Sequence, residues 1–502
     1  MPRSKKVFGN EISGFSYLDA CFSKQRFVLK FGDDTKQIYH LKSVPNTTLN
    51  KFFGVQNLVR SDKKTELKDN PLIIGNIRMG FGHYRISMAI ASCAYALGYT
   101  PYWLDLISFT DTTGSKVISH MNDLYSLGSR LSQKIPLFDK LLWEPGSKKM
   151  YKSLESNAID QKTSELMTRA YQDLDKTLPF IATHSWPAQA AIHAGMKCVV
   201  NAIPDNYPMA LHLAEGAMHT VQTPSSYLGY KTLREMRHGH IKIMDDDDIT
   251  MAGHYVDHEI ASNIDKDCKK RIERMKQNKP IRFLIPVGGA GAGLEMIEKL
   301  LITLIPYATS NKACVFLNLG DHKDVIELLA KKIPNFKKIA NFHADNFAVT
   351  ESFISKAEYD QDLSGIHVFC HKDIFAAVYS TNILMRQTDV MITKPSELAF
   401  YPIPKLLTRR VGAHEAYGAL RSSEIGDGTI ECRTFNQATG MLELLINERS
   451  NIINMCENIM KANKVKIYDG GYEAVKAAAK LVKKHTTKSS TKKKTTTKSK
   501  RN

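Results

Sequence analysis

Twice in this chain a short, mostly apolar run leads through glycines into a helical pattern. The first is PLIIG, then GNIRMGFGH, then YRISMAIASCAYALG, from residue 71. The second is IRFLIPV, then GGAGAG, then LEMIEKLLITLIPYA, from residue 281. Strands apolar at every position are buried on both faces, and a parallel sheet covered by helices is the structure that buries them. Further strand–helix pairs follow each start: PYWLDLI, FIATH with PAQAAIHAG, KCVVNAI and HTVQT after the first, and ACVFLNLG, HVFC, DVMITK and PKLLTRR after the second. The pattern predicts two tandem α/β units, each built on a Rossmann-like parallel sheet.

At 502 residues the chain has material for two or three domains of about 150 residues. We place an N-terminal extension at 1–70, read as a small β-rich piece from its alternating, aromatic-rich stretches. The first unit spans 71–260 and the second 275–433, with the charged stretch 261–280 between them. Helices follow at 434–484, then a disordered basic tail at 485–502. That tail is too polar to fold. From Lys483 to Asn502 the chain carries nine Lys and Arg residues, half of the net charge of +18. The remaining basic charge suits a phosphate-bearing substrate or peripheral contact with a membrane surface. No specific nucleic-acid module accompanies it. No run approaches the roughly 18 apolar residues of a membrane span. The eight cysteines form no C-x-x-C pair, and no Cys/His cluster has zinc spacing. These features predict a cytoplasmic protein with reduced thiols and no metal.

Chemistry concentrates at the ends of the predicted strands. In an open parallel sheet, ligands bind outside the carboxyl ends of the strands. The first glycine turn carries Gly82, His83 and Arg85 at a helix start, where free N–H groups favour an anion. Its spacing is neither the dinucleotide fingerprint nor a P-loop. His83 is a candidate general base, set against a structural histidine in a tight turn. The second turn holds Gly288, Gly289 and Gly291, which a close helix–strand contact explains equally well. In ITKPSELAFYPIPKLLTRRVGAHEAYGAL (392–420), Glu397 falls just after a strand, where a carboxylate can accept both ribose hydroxyls. A helix N-terminal acid is the plainer alternative.

Taken in order, these pieces resemble the GT-B glycosyltransferases. Likeness is strongest to the monogalactosyldiacylglycerol synthases, the bacterial diacylglycerol glucosyltransferases and the N-acetylglucosamine transferase of peptidoglycan synthesis. GFGHYRISMAI resembles the family's first-strand Gly/His loop and implies His83 in acceptor activation, with Gly82 and Arg85 on the acceptor side. ATHSWP and IPDNYPMALH resemble the acceptor-side segments and imply roles for His184, Asp205 and His212. AGHYV (252–256) resembles the entry into the second domain. ITKPSELAFYPIPKL resembles the nucleotide-sugar segment and implies Lys394, Ser396 and Glu397 at the donor, with Gly288, Gly289 and Gly291 of the 288–293 turn facing its diphosphate; VGAHEAYGA adds His414 and Glu415. Two departures stand out. Only Pro395 and Ser396 separate Lys394 from Glu397, where the family has several more residues, and Gly418 stands where Asn is usual.

The resemblance implies two facing domains and a nucleotide-diphosphate sugar, a UDP-sugar, as co-substrate, with no other cofactor. The sugar moves with inversion to a hydroxyl acceptor, a lipid among the candidates, with His83 or Asp205 taking the proton. A nucleotide-sugar 2-epimerase on the same fold, and a binding protein that has lost turnover, are the alternatives.

Overall fold

The computed structural model describes residues 3–64, 66–67, 69–134, 153–233, 236, 241–289, 291 and 293–498, with the backbone alone described for 125–134 and 488–498. Numbered along the chain, the first ten strands are β1 (Lys6–Val7), β2 (Asn10–Glu11), β3 (His40–Pro45), β4 (Gln56–Ser61), β5 (Pro71–Asn76), β6 (Thr100–Asp105), β7 (Pro179–Ala182), β8 (Cys198–Ala202), β9 (Met218–Val221) and β10 (Ile249–Met251). β1 and β2 form a small antiparallel hairpin. The other eight make one sheet in the order β10-β9-β8-β7-β5-β6-β4-β3. Every pair in it is parallel except β3 with β4.

Six more strands follow: β11 (Ile281–Pro286), β12 (Ala313–Asn318), β13 (Ala340–Ala344), β14 (Gly365–Cys370), β15 (Val390–Thr393) and β16 (Lys405–Leu407). They form a wholly parallel second sheet in the order β13-β14-β12-β11-β15-β16. This is the two-domain, parallel-sheet architecture that the GT-B resemblance implies. The strands that begin the two glycine motifs, β5 and β11, are central. From each, the chain goes first to a neighbour on one side and later to one on the other. A crevice opens at the carboxyl end of such a strand, so the topology sets both glycine turns at ligand-binding positions.

The extension departs from the expectation. Gly14–Phe31, read as alternating, is an 18-residue helix. Its apolar residues recur at three and four positions, which satisfies two helix faces, and Val28 is its one β-branched residue. Ser13 caps it by accepting from Ser16 N, and Gly32 leaves it at φ +87°. The strands that do occur here are the β1–β2 hairpin, the edge strand β3 and its neighbour β4 in the first sheet. The last helix, Gly470–Lys498, buries Ala474, Val475, Ala477 and Ala478 against the first domain. The basic tail falls on residues whose side chains, from 488 on, lie outside the described set.

The second domain is tied internally by buried ions. Asp389 is inaccessible and accepts from Arg274 Nε at 2.9 Å, from Arg274 Nη2 at 2.6 Å and from the Arg282 backbone N at 3.0 Å. Removing one partner strands the other charge in a low-dielectric core. Asp389→Ala is therefore expected to cost about 3–5 kcal/mol, measured as a drop in the urea midpoint, whereas Lys299→Ala in an exposed pair should cost under about 1 kcal/mol.

Candidate functional site

The first glycine turn delivers His83 to the start of the helix Gly82–Ala96. Its Nδ1 donates to the Thr183 carbonyl at 2.7 Å, at the end of β7. A carbonyl can only accept, so the proton is fixed on Nδ1 and the lone pair of the neutral ring on Nε2. Burial pushes the His83 pKa down, only partly offset by the Thr183 carbonyl and the Asp205 charge. His184 packs edge-on to it with ring centroids 5.0 Å apart. His184 Nδ1 accepts from Trp186 N at 3.0 Å, capping the next helix. Burial, with His83 and His212 nearby, holds His184 well below the ordinary histidine value.

Asp205 and His212 meet, Oδ2 to Nε2 at 3.1 Å. His212 Nδ1 in turn contacts the Tyr230 hydroxyl. Burial acts to raise the Asp205 carboxyl, but the hydrogen bond from His212 and the fields of His414, His212 and His83 outweigh it. Its pKa ends well below the usual carboxylate range. Asp205 is thus a permanent anion and a weak proton acceptor, and the field of His414 reaches it from the second domain.

The second domain brings Glu397 to the same place. Its carboxylate lies 3.6 Å from Arg85 Nε, and Glu397 Oε2 would be 3.2 Å from a Cβ at Gly82. Lys394 pairs with Glu415, whose other oxygen accepts from Val411 N at 2.6 Å. Ser396 opens the short 3-10 turn Glu397–Phe400. His83, His184, Asp205, His212, Lys394, Glu397, His414 and Glu415 therefore line one inter-domain seam.

Three placements differ from the sequence reading. Arg85, expected toward the acceptor, is 2% exposed and turns into the second domain, donating to Asn382 Oδ1 and to the Val378 carbonyl at 3.4 Å. The physical reason is helical phase: two residues beyond His83, its side chain leaves the helix on the face toward Ile374–Met385. Gly289, expected at a diphosphate, abuts the first turn; a Cβ there would be 2.9 Å from Phe81 N and 3.1 Å from Gly80 Cα. Phe81 also fills the space over Gly320, where a Cβ would be 2.6 Å from its ring. Gly291 and Gly293 adopt φ of +63° and +79°; Ala290 and Ala292 lie outside the described residues. Finally, the missing residues before Glu397 and the Asn-to-Gly change at 418 are one feature. A Cβ on Gly418 would sit 2.4 Å from the Pro395 carbonyl oxygen, so the shortened loop occupies the space a side chain would need.

Sequence reasoning missed two further pairings at this seam, the first across the domains and the second within the second domain. Arg78 pairs with Asp321, and His322 Nε2 donates to the Gly288 carbonyl at 3.0 Å. Asp321 and His322 follow β12, so the rule that strand ends carry function would have found them. Nothing in the sequence marks Asn382. Among the described residues, no group of three or more His, Cys, Asp or Glu is arranged to hold a metal, and no helix is long and apolar enough to cross a membrane.

Comparison with known proteins gives two adjoining matches. Residues 6–232 match the model of a family described as Domain of unknown function (DUF6937). Residues 244–479 match Domain of unknown function (DUF6938). No curated protein matches the sequence. Among solved structures, a UDP-GlcNAc 2-epimerase from Neisseria meningitidis bound to UDP-GlcNAc is 11% identical with a TM-score of 0.44, over 84% of this chain and 100% of that one. MurG from Acinetobacter baumannii is 13% identical with a TM-score of 0.38, over 83% and 99%. The alpha,alpha-trehalose 6-phosphate synthase from Burkholderia multivorans is 10% identical with a TM-score of 0.40, over 85% and 99%. Likeness at this level assigns no activity.

The seam itself is testable. Gly289→Ala should force the two glycine turns apart, because the contacted atoms are mainly backbone. The expected result is a larger radius of gyration by small-angle scattering and a lower melting temperature, with the far-UV circular dichroism unchanged.

Proposed function

We propose that this protein is a glycosyltransferase that moves a sugar from a nucleotide-diphosphate sugar, a UDP-sugar by resemblance, to a hydroxyl acceptor, with lipids among the candidate acceptors. The observation that supports it best is the meeting at one seam of His83, poised to accept a proton on Nε2, with Glu397 from the opposite domain. In this reading Glu397 holds the ribose of the donor, and Lys394 with the 288–293 turn lies toward its diphosphate. The acceptor hydroxyl enters beside His83, His184 and the Asp205–His212 pair. Its oxygen attacks the anomeric carbon as the C–O bond to the diphosphate breaks. The hydroxyl proton passes to His83 Nε2, and the nucleoside diphosphate leaves with the bonding electron pair. A single displacement inverts the anomeric configuration. Between the two candidate bases, His83 is the better one, because the depressed pKa of Asp205 makes its carboxylate too weak. Asp205 instead orients His212 and supplies negative charge near the developing positive charge on the sugar.

A second reading has its own support. Phe81 wedged against Gly289 and Gly320, and Pro395 against Gly418, crowd the places where a donor diphosphate would lie. They favour a binding protein of this fold without transferase turnover. A 2-epimerase on this fold would act on the donor alone.

Calorimetry and thermal shift with UDP, GDP, ADP and dTDP, on the native chain and on Glu397→Ala, test the donor site. We expect saturable binding of one nucleotide, weakened at least about 10-fold in the variant, which is about 1.4 kcal/mol. Binding of none of them would sink the nucleotide-sugar reading. With the matching nucleotide sugar, release of nucleoside diphosphate supports transfer, an altered sugar supports epimerisation, and an unchanged donor supports binding alone. Where turnover occurs, the His83 shift sets its pH dependence. Because the neutral ring is the base and its pKa is lowered, kcat/KM should hold through pH 6.5 and fall only at more acid values. His83→Asn should remove that acid limb together with most of the rate.

A further inference from the structure

The helix Gly14–Phe31 is anchored along one side only. Ser13 N donates to Glu155 Oε2 at 3.0 Å, and Lys24 Nζ pairs with Glu165 at 2.8 Å. Phe27, Val28 and Phe31 pack on the core of the first domain. On the other side, Phe15, Leu18, Phe22 and Leu29 are 84%, 57%, 67% and 80% exposed. Their spacing of three, four and seven residues is a heptad seam, with Gln25 at its one polar position. Asp19 and Arg26, both exposed, sit seven residues apart on the same flank of that seam.

We propose that this face is the contact between two copies of the chain, their helices antiparallel about a two-fold axis. A narrow seam repeating every 3.5 residues fits another helix, because only a second helix follows the same drift. A helix lying on a membrane needs a broader apolar arc with basic flanks, and Asp19 on the flank opposes an anionic surface. The charges are self-complementary. Antiparallel pairing brings Asp19 of each copy toward Arg26 of the other, so the contact is made twice by symmetry. At roughly 150–250 Å² for a fully buried aromatic, the exposed parts of the four apolar side chains supply about 1,000 Å² for the pair, the lower bound of a specific interface. Gln25, polar within the seam, fixes the register.

Sedimentation equilibrium of the full chain tests this. The native chain is expected to dimerise, with Phe22→Glu raising the dissociation constant at least about 10-fold and leaving the melting temperature unchanged, since that ring is mostly exposed. Asp19→Arg should also weaken the dimer, and the swap Asp19→Arg with Arg26→Asp should restore it. A native chain that is monomeric at all concentrations overturns the proposal, as does a dimer that Phe22→Glu leaves intact. A monomer that sediments with anionic phosphatidylglycerol vesicles would give the face to lipid. A monomer destabilised by Phe22→Glu would give it to another segment of the same chain, such as 135–152. Either result overturns the proposal too.

Discussion

A buried guanidinium links the two halves of this molecule at the seam. Arg85 leaves the first-domain helix Gly82–Ala96 and reaches Asn382 on the second-domain helix Ile374–Met385. Asn382 Nδ2 donates to Asp257 Oδ1 at 2.8 Å, and the Tyr401 hydroxyl donates to Asp257 Oδ2, also at 2.8 Å. Burial raises the Asp257 carboxyl to about 6 against the pull of these hydrogen bonds and of Arg85. A buried cation is tolerated only where its hydrogen bonds and counter-charge are supplied. Here they come from the opposite domain, so the first domain leaves Arg85 unsatisfied unless the second is docked. Its Nε makes no hydrogen bond, and the nearest carboxylate to it is Glu397.

The state of the seam thereby governs the state of the site. While the domains are docked, Glu397 faces Arg85 and Gly82, and Phe81 fills the gap between the two glycine turns. A ribose on Glu397 must compete with Arg85, and a diphosphate at the turns must displace Phe81 or part the domains. Binding energy from a nucleotide would be spent in part on that rearrangement. The histidines are organised differently. His83, His184 and the Asp205–His212 pair are all held by partners within the first domain. Their geometry is therefore set without the second domain, whereas the surroundings of Glu397 are shared between the two.

The sequence made the architecture legible because strand periodicity and glycine punctuation are local signals. β5 and β11 are apolar along nearly their whole length, and each runs into its turn without interruption. Asp205 and His212 were singled out through the resemblance of IPDNYPMALH, and a short loop is enough to bring them together. The helix Gly14–Phe31 was misread because apolar residues on two faces of a helix blur into alternation, and no breaker falls between Ser13 and Gly32. Arg85 was misassigned because sequence order places it beside His83, while helical phase turns it the other way. Asn382 and Phe81 were invisible as site residues, since their role exists only once two distant segments meet.

The two departures from the glycosyltransferase pattern illustrate how such distant constraints act. Taken singly, a glycine at 418 and a short loop at 394–397 are unrelated losses. In the structure, the Pro395 carbonyl rests on the Cα of Gly418, at a distance that no larger residue permits. Shortening the loop draws its backbone inward against the helix Ala416–Ile425, and that position can then be filled only by glycine. The loop still delivers Glu397 to the cleft, carried on the short turn Glu397–Phe400 behind β15. What it no longer offers are the several backbone N–H groups that extra residues would have pointed at a phosphate. A donor held here would depend more on side-chain charge, and Lys394 is the cation at hand, already paired with Glu415. The result is a close-packed turn that carries a carboxylate into the cleft.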